Sequence, residues 1–134
     1  MTAITPLEFI HKKGIFGDHQ KKNESDLLRI SEVKNSTIIQ LVQHKTSKIN
    51  INDIKIEGLE ISTKSSTVKS NKETRILWNA PRTWLIISNK ENIIKIIEKN
   101  CKEIDFAITD ISHSRAVIQI KGEQAREVLK KGSP

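Results

Sequence analysis

Apolar and polar residues alternate in different periods along the chain, and the changes of period predict strands separated by helices. Residues 108–134 show this most clearly, because Ile118 and Ile120 fall on one face of a strand that follows a polar corner at His113 and Ser114. Gly122 interrupts the strand, and from residue 123 to 131 the apolar side chains recur at helical spacing. This stretch is therefore predicted as strand, corner, strand, turn and helix, with Gly132 as the glycine just after the helix and Pro134 beyond it.

The rest of the chain shows the same alternation in shorter segments. Apolar alternation and β propensity predict four more strands, at residues 27–33, 37–44, 74–79 and 83–88, and extend the strand before the corner to residues 105–112. The first two are expected to form an antiparallel hairpin across Asn35 and Ser36, and the third and fourth flank a turn at Pro81. Residues 62–72 are rich in Ser, Thr, Lys and Asn and predict a loop.

Two further helices are predicted upstream. Residues 88–103 begin with a capping-box pattern, Ser88 to Glu91, and carry an apolar stripe that includes Cys101 and Ile104. A short helix at residues 54–58 would be capped by the Asn-Asp pair before it.

The element order is therefore roughly β-β-(α)-β-β-α-β-β-α. Helices alternate with pairs of strands, which predicts an α+β fold with a mixed, mainly antiparallel sheet. Residues 1–25 are predicted to form an extended N-terminal arm, because glycines and polar runs break every period there. Residues 26–134 are predicted to form a single domain, as expected for a chain of 134 residues.

Composition narrows the class of protein. The single cysteine, Cys101, excludes an internal disulfide framework, and its place on an apolar helical stripe predicts an inert core thiol. The net charge of +7 favours acidic partners, but the lysines are scattered and aromatic residues make up 4%, so nucleic acid is not the expected partner. No apolar run approaches the ~20 residues of a membrane span, and the start shows no signal-peptide pattern, so the cytoplasm is the expected location.

Candidate chemistry is sparse. Asp110, Ser112 and His113 have the residue types of a hydrolytic triad, but on a strand the first two share a face and His113 points away. We expect a structural corner instead, with Arg115 paired to Asp110. The histidines lack metal-ligand spacing and the glycines form no phosphate loop, so no catalytic, cofactor-binding or metal-binding residues are predicted.

Trp78 and Trp84 flank the Pro81 turn and allow two interpretations. They either pack in the core or lie at a subunit interface, where Trp is enriched.

Three blocks of sequence resemble one family. The C-terminal block resembles the γ subunits of heterotetrameric sarcosine oxidases. It consists of the corner Asp-Ile-Ser-His-Ser-Arg at 110–115, the strand with Gly122, and Ala-Arg-Glu-Val-Leu-Lys-Lys-Gly-Ser-Pro at 125–134. Residues 76–87 (ILWNAPRTWLII) and Thr5-Pro6-Leu7 resemble further blocks of the same family. That family is similar in fold to the folate-binding domain of aminomethyltransferase.

The resemblance implies a non-catalytic γ subunit. The complex demethylates sarcosine oxidatively to glycine and transfers the one-carbon unit to tetrahydrofolate. By resemblance, the α, β and δ subunits are the partners; FAD, FMN and NAD are expected on the large partner subunits, with no cofactor on this chain. The expected structural-corner or subunit-interface residues are Trp78, Pro81, Trp84, Asp110, Ser112, Arg115 and Gly122. Two alternatives stay open: a stand-alone tetrahydrofolate-binding module related to aminomethyltransferase, and a basic nucleic-acid-binding protein.

Two departures from the family pattern change these expectations. The family's Gly-Pro-acidic-acidic-Trp turn is Ala-Pro-Arg-Thr-Trp at 80–84, so an acidic contact there would be lost or reversed. The family's Lys-Gly-Cys-Pro is Lys-Gly-Ser-Pro at 131–134, where family members continue. We therefore expect a domain that is incomplete at its C-terminus, with an uncovered sheet edge and apolar face.

Overall fold

A computed structural model describes residues 4–17, 19–20 and 22–133. The chain divides into two compact units, one formed by Asn35–Arg115 and the other by Met1–Lys34 with Ala116–Pro134. The division into an arm at 1–25 and one domain at 26–134 stays a prediction. Residues 1–3, 18 and 21 of the arm, and Pro134 after the last helix, lie outside the described residues.

The described residues form nine strands and two α-helices, which confirms the α+β class with mostly antiparallel sheets. The elements are β1 (Arg29–Val33), β2 (Thr37–Gln43), β3 (Lys55–Ile56), β4 (Leu59–Glu60), β5 (Val68–Ser70), β6 (Thr74–Ala80), β7 (Thr83–Ser88), α1 (Ile93–Asn100), β8 (Phe106–Asp110), β9 (Val117–Lys121) and α2 (Ala125–Gly132).

The larger unit is built on a five-stranded antiparallel sheet in the order β5-β6-β7-β2-β8. Strand β2 lies inside this sheet and pairs with β7 on one edge and β8 on the other. The predicted hairpin of β1 with β2 is therefore wrong, because both edges of β2 are occupied and β1 pairs with β9 instead. The β6–β7 hairpin around Pro81 is confirmed. The predicted loop at 62–72 is wrong in part, since it contains the edge strand β5.

The core of this unit lies on one face of the sheet. Ile39 and Leu41 from β2, with Ile86 from β7, are fully buried in one cluster with Ile93 and Ile97 of α1. These α1 residues are four apart, so they lie on one helical face, as the apolar stripe predicted.

Two details of α1 differ from the prediction. Ser88 does not cap the helix, because it ends β7, bonds the Thr74 hydroxyl at 2.8 Å and accepts from the Lys90 N–H. The helix begins later, and Asn92 precedes it without a side-chain cap. Ile104 lies beyond the helix end and is 83% exposed, so it does not belong to the buried stripe.

The predicted helix at 54–58 is wrong. Its residues form the β3–β4 hairpin, with Glu57 and Gly58 both at positive φ, 52° and 75°. Two contacts from elsewhere in the unit fix this turn: Asn71 donates to the Glu57 carbonyl at 3.0 Å, and Lys90 pairs with the Glu57 carboxylate. Glycine at the second turn position suits the hairpin, because it takes positive φ without strain.

The smaller unit contains the antiparallel pair β1–β9, the turn at Gly122 and α2. None of its described residues is fully buried. Gly132 is the last residue of α2, and Ser133 follows as the C-cap, so the assignment of Gly132 to the position after the helix is wrong by one residue. A two-stranded ribbon with one short helix has little apolar area to bury and is marginal in isolation.

Candidate functional site

The corner after β8 ties the end of one strand to the start of another. The Ser112 hydroxyl accepts the Ile38 N–H at 2.8 Å and donates to the Asp110 carboxylate at 2.5 Å. Asp110 also accepts the Ser112 N–H at 2.9 Å, and the Ile111 N–H bonds the Ile38 carbonyl at 2.9 Å. The bonds from the Ser112 hydroxyl and N–H lower the pKa of Asp110. The residues of this corner hold backbone groups in place, in the manner of an Asx turn.

The other two residues of the motif do not complete a reactive group. His113 and Arg115 are both exposed. The predicted Arg115–Asp110 pair is wrong: among the described residues Arg115 forms no ion pair, and Oδ1 of Asp110 accepts both the hydroxyl and the N–H of Ser112. The serine hydroxyl donates to a carboxylate rather than to an imidazole, so the arrangement lacks the base of a nucleophilic triad.

The β6–β7 hairpin forms a second place of interest. Pro81 and Arg82 occupy its tip, where Arg82 has a positive φ of 60°. The end of β2 and the residue after it hold this conformation. Gln43 donates its N–H to the Arg82 carbonyl at 2.9 Å, and the Arg82 guanidinium donates to the His44 carbonyl at 2.9 Å. The hairpin tip is thus fixed by two hydrogen bonds with the backbone of Gln43 and His44.

Trp78 and Trp84 are direct cross-strand neighbours in this hairpin. Trp84 is 2% exposed, and its indole N–H donates to the Ser62 carbonyl at 2.8 Å. Trp78 is half-buried and packs against the core. Both residues contribute to packing, and Trp78 keeps part of its ring accessible to another molecule.

An open groove of about 320 Å³ lies beside the two tryptophans. It is lined by Gln43, Thr63, Trp78, Pro81, Arg82 and Trp84. Its chemistry is an apolar wall with one guanidinium and one amide at the rim, which suits an apolar or aromatic side chain with an adjacent acidic group.

A wider groove of about 750 Å³ runs along α1 and β8 and includes His44, Glu98 and Cys101. Cys101 is buried, and burial raises the pKa of its thiol to about 11, which confirms the inert core position of this side chain. In the described part of the chain, no three metal-ligating side chains come together. No helix within the described ranges is long and apolar enough to cross a membrane.

Gly122 belongs to the smaller unit, whereas the other predicted site residues belong to the larger unit. Its φ is +140°, and a Cβ there would lie 3.2 Å from the Leu27 carbonyl oxygen and from a Leu28 methyl carbon. The residue is glycine because the chain passes close to the Leu27–Leu28 backbone in a conformation that L side chains avoid.

Sequence reasoning did not single out Gln43, Thr63 or Glu32. The first two reach the tryptophan groove from distant parts of the chain, so no local pattern could place them there. Glu32 interrupts an otherwise apolar strand face, and that break in alternation was the available signal.

Comparison with known proteins gives a likeness in fold. No protein-family model and no curated protein matches the sequence. The fold is similar to that of a chain in a heterotetrameric sarcosine oxidase from Corynebacterium sp. U-96, solved in complex with pyrrole 2-carboxylate. The TM-score is 0.70 at 20% sequence identity, and the match covers 84% of this chain and 58% of that chain. The resemblance inferred from the sequence motifs is thus confirmed at the level of fold.

Proposed function

We propose that this chain is a non-catalytic subunit of a hetero-oligomeric sarcosine oxidase, in the role of the γ subunit. The observation that carries the proposal is the fold shared over 84% of the chain with a chain of a heterotetrameric sarcosine oxidase. In that role it would support the oxidative demethylation of sarcosine to glycine, with transfer of the one-carbon unit to tetrahydrofolate.

The two candidate places support a scaffold role. The Asp110 carboxylate and the Ser112 hydroxyl form hydrogen bonds with backbone groups and with each other, and the indole N–H of Trp84 donates to the Ser62 carbonyl. These side chains build the strand ends and the hairpin. A subunit that contributes shape and binding surface needs no more than this.

The proposal assigns the redox chemistry to other chains. FAD, FMN and NAD would bind to the large partner subunits, in the cytoplasm. On this chain, Trp78, Pro81, Arg115 and Gly122 would serve structure or subunit contact.

Coexpression tests the proposal. The chain is produced with the α, β and δ subunits of a sarcosine oxidase from the same source, and coelution is measured together with sarcosine-dependent peroxide formation. We expect the chain to coelute in a fixed ratio with the flavin-containing subunits. An assembly that forms without this chain and has full activity and stability would contradict the proposal.

Titration of the isolated chain with tetrahydrofolate, followed by tryptophan fluorescence, separates the first alternative. Saturable binding by the isolated chain would favour a stand-alone folate-binding module. Affinity for DNA or RNA that falls steeply with salt would favour the nucleic-acid alternative.

A further inference from the structure

The β1–β9 ribbon exposes an apolar face that contains one acidic residue. Ile30 lies opposite Ile120, and Glu32 lies opposite Ile118, so these four side chains share one face of the ribbon. We call them the Ile30–Ile118 face. Ile30 is 63% exposed and Ile118 is 55% exposed, although both occupy strand positions. Paired β-branched side chains in a ribbon without a buried core indicate a surface that a further molecule covers.

Glu32 indicates that the covering molecule supplies a cation or a hydrogen-bond donor. One oxygen of its carboxylate, Oε2, is inaccessible to solvent and has no hydrogen-bond partner. Among the described residues, Glu32 forms no ion pair and accepts no side-chain hydrogen bond. A carboxylate that is partly withdrawn from water and lacks a donor is stabilised when a cation or a hydrogen-bond donor reaches it.

Charge complementarity argues against a second copy of the chain as the occupant. The face holds three isoleucines and one glutamate, and no cation. A two-fold dimer joined through this face would present the same patch from both sides, and would place carboxylate against apolar surface or against carboxylate. A different polypeptide that brings Arg or Lys resolves the unpaired charge.

We propose that the Ile30–Ile118 face is the docking surface for a partner subunit, which covers the isoleucines with an apolar segment and directs an Arg or Lys side chain to Glu32. This inference rests on the proposed function, since it takes the partner from the sarcosine oxidase assembly. It adds the surface, the chemistry of the contact and the residue that confers specificity.

The test measures the affinity of the purified chain for the coexpressed α, β and δ subunits. The variants are Ile30→Thr with Ile118→Thr, which keep β propensity, and Glu32→Gln, which keeps the side-chain shape. The matched controls are Ile104→Thr, at a residue 83% exposed in the other unit, and Glu60→Gln, at an exposed strand position. Circular dichroism and thermal melting establish that each variant folds.

We expect the double isoleucine variant and Glu32→Gln each to weaken binding about tenfold or more, and the controls to change it less than about twofold. High salt should weaken the wild type and leave Glu32→Gln less affected, because only the wild type retains the ion pair.

The outcomes separate this inference from the proposed function. If the wild-type chain does not bind the α, β and δ subunits, the proposed function fails. If it binds and the face variants bind equally well, the proposed function stands and the docking surface is wrong. A homodimer of the isolated chain that Ile118→Thr dissociates would assign the face to a second copy. Protection of the Ile30 and Ile118 methyl groups from a soluble paramagnetic probe in a monomer, measured by NMR, would show that the chain covers the face itself; either result overturns the proposal.

Discussion

Replacing Ser112 by Ala removes the link between the corner after β8 and the first residues of β2. The hydroxyl accepts the Ile38 N–H at 2.8 Å and donates to Asp110 at 2.5 Å. Ile38 is 5% exposed, so its N–H has little access to water as a replacement acceptor. Ala leaves that donor without a partner and releases one of the two bonds that Ser112 gives to the Asp110 carboxylate.

The magnitude follows from the unpaired donor. A buried N–H that loses its acceptor costs about 1–3 kcal/mol, and we expect a loss of roughly 2 kcal/mol in the free energy of unfolding. If the compact unit Asn35–Arg115, of about 80 residues, unfolds as one, this corresponds to a fall in Tm of roughly 8–16 °C.

Urea unfolding followed by tryptophan fluorescence measures this loss in the right unit, because Trp78 and Trp84 both lie in Asn35–Arg115. The matched control is Ser114→Ala, at an exposed serine whose hydroxyl bonds only the Ile111 carbonyl at 3.0 Å. We expect the control to cost less than about 1 kcal/mol.

The same variant has a second readout in the titration of Asp110. Bonds from Ser112 lower the pKa of this carboxyl, so its contribution to stability is present above the unfolded pKa of about 3.9 and is lost as the pH falls through the lower folded value. In Ser112→Ala the pKa of Asp110 should rise towards its ordinary value, as measured by NMR. Equal destabilisation by Ser112→Ala and Ser114→Ala, with an unchanged Asp110 pKa, would refute the role assigned to this corner.

Four further predictions concern other parts of the chain. Trp84→Phe should cost about 2–3 kcal/mol, because it orphans the Ser62 carbonyl and leaves a gap in the core; an unfolding midpoint equal to that of the wild type would contradict this. Burial raises the pKa of the Cys101 thiol to about 11, so the stability that this neutral thiol contributes is complete below the unfolded pKa of about 8.5 and is lost as the pH rises towards 11. Alkaline unfolding curves should show this loss in the wild type and not in Cys101→Ala. Gly122→Ala should destabilise the chain by about 1–3 kcal/mol, because φ is +140° and the added Cβ meets backbone at 3.2 Å. Gly132→Ala should stabilise the chain by about 0.5–1 kcal/mol, because this glycine is helical and an added Cβ would meet no atom outside its own helical turn within 4 Å. Thermal melting of the Gly122 and Gly132 variants checks the sign of each change.

The sequence determined the class of fold and most of its elements. The pattern of the sequence predicts the strands at 74–79 and 83–88, the turn at Pro81 and the helix that carries Ile93 and Ile97. The buried, inert thiol of Cys101 also followed from its place on the apolar stripe. These features depend on residues close together in the chain, which is why pattern alone finds them.

Only the tertiary structure decided which strands pair and how polar side chains are used. β2 lies between β7 and β8 because both of its edges form hydrogen bonds within the five-stranded sheet. Its neighbour in sequence, β1, pairs instead with β9, which lies near the C-terminal end of the sequence. Ser88 has the pattern of a helix cap, yet it ends a strand because Thr74 bonds its hydroxyl. Residues 54–58 form a hairpin because Asn71 and Lys90 hold its turn. Each of these partners is distant in sequence, and the free energy of such contacts outweighs local propensities of a few tenths of a kcal/mol to about 1 kcal/mol per residue.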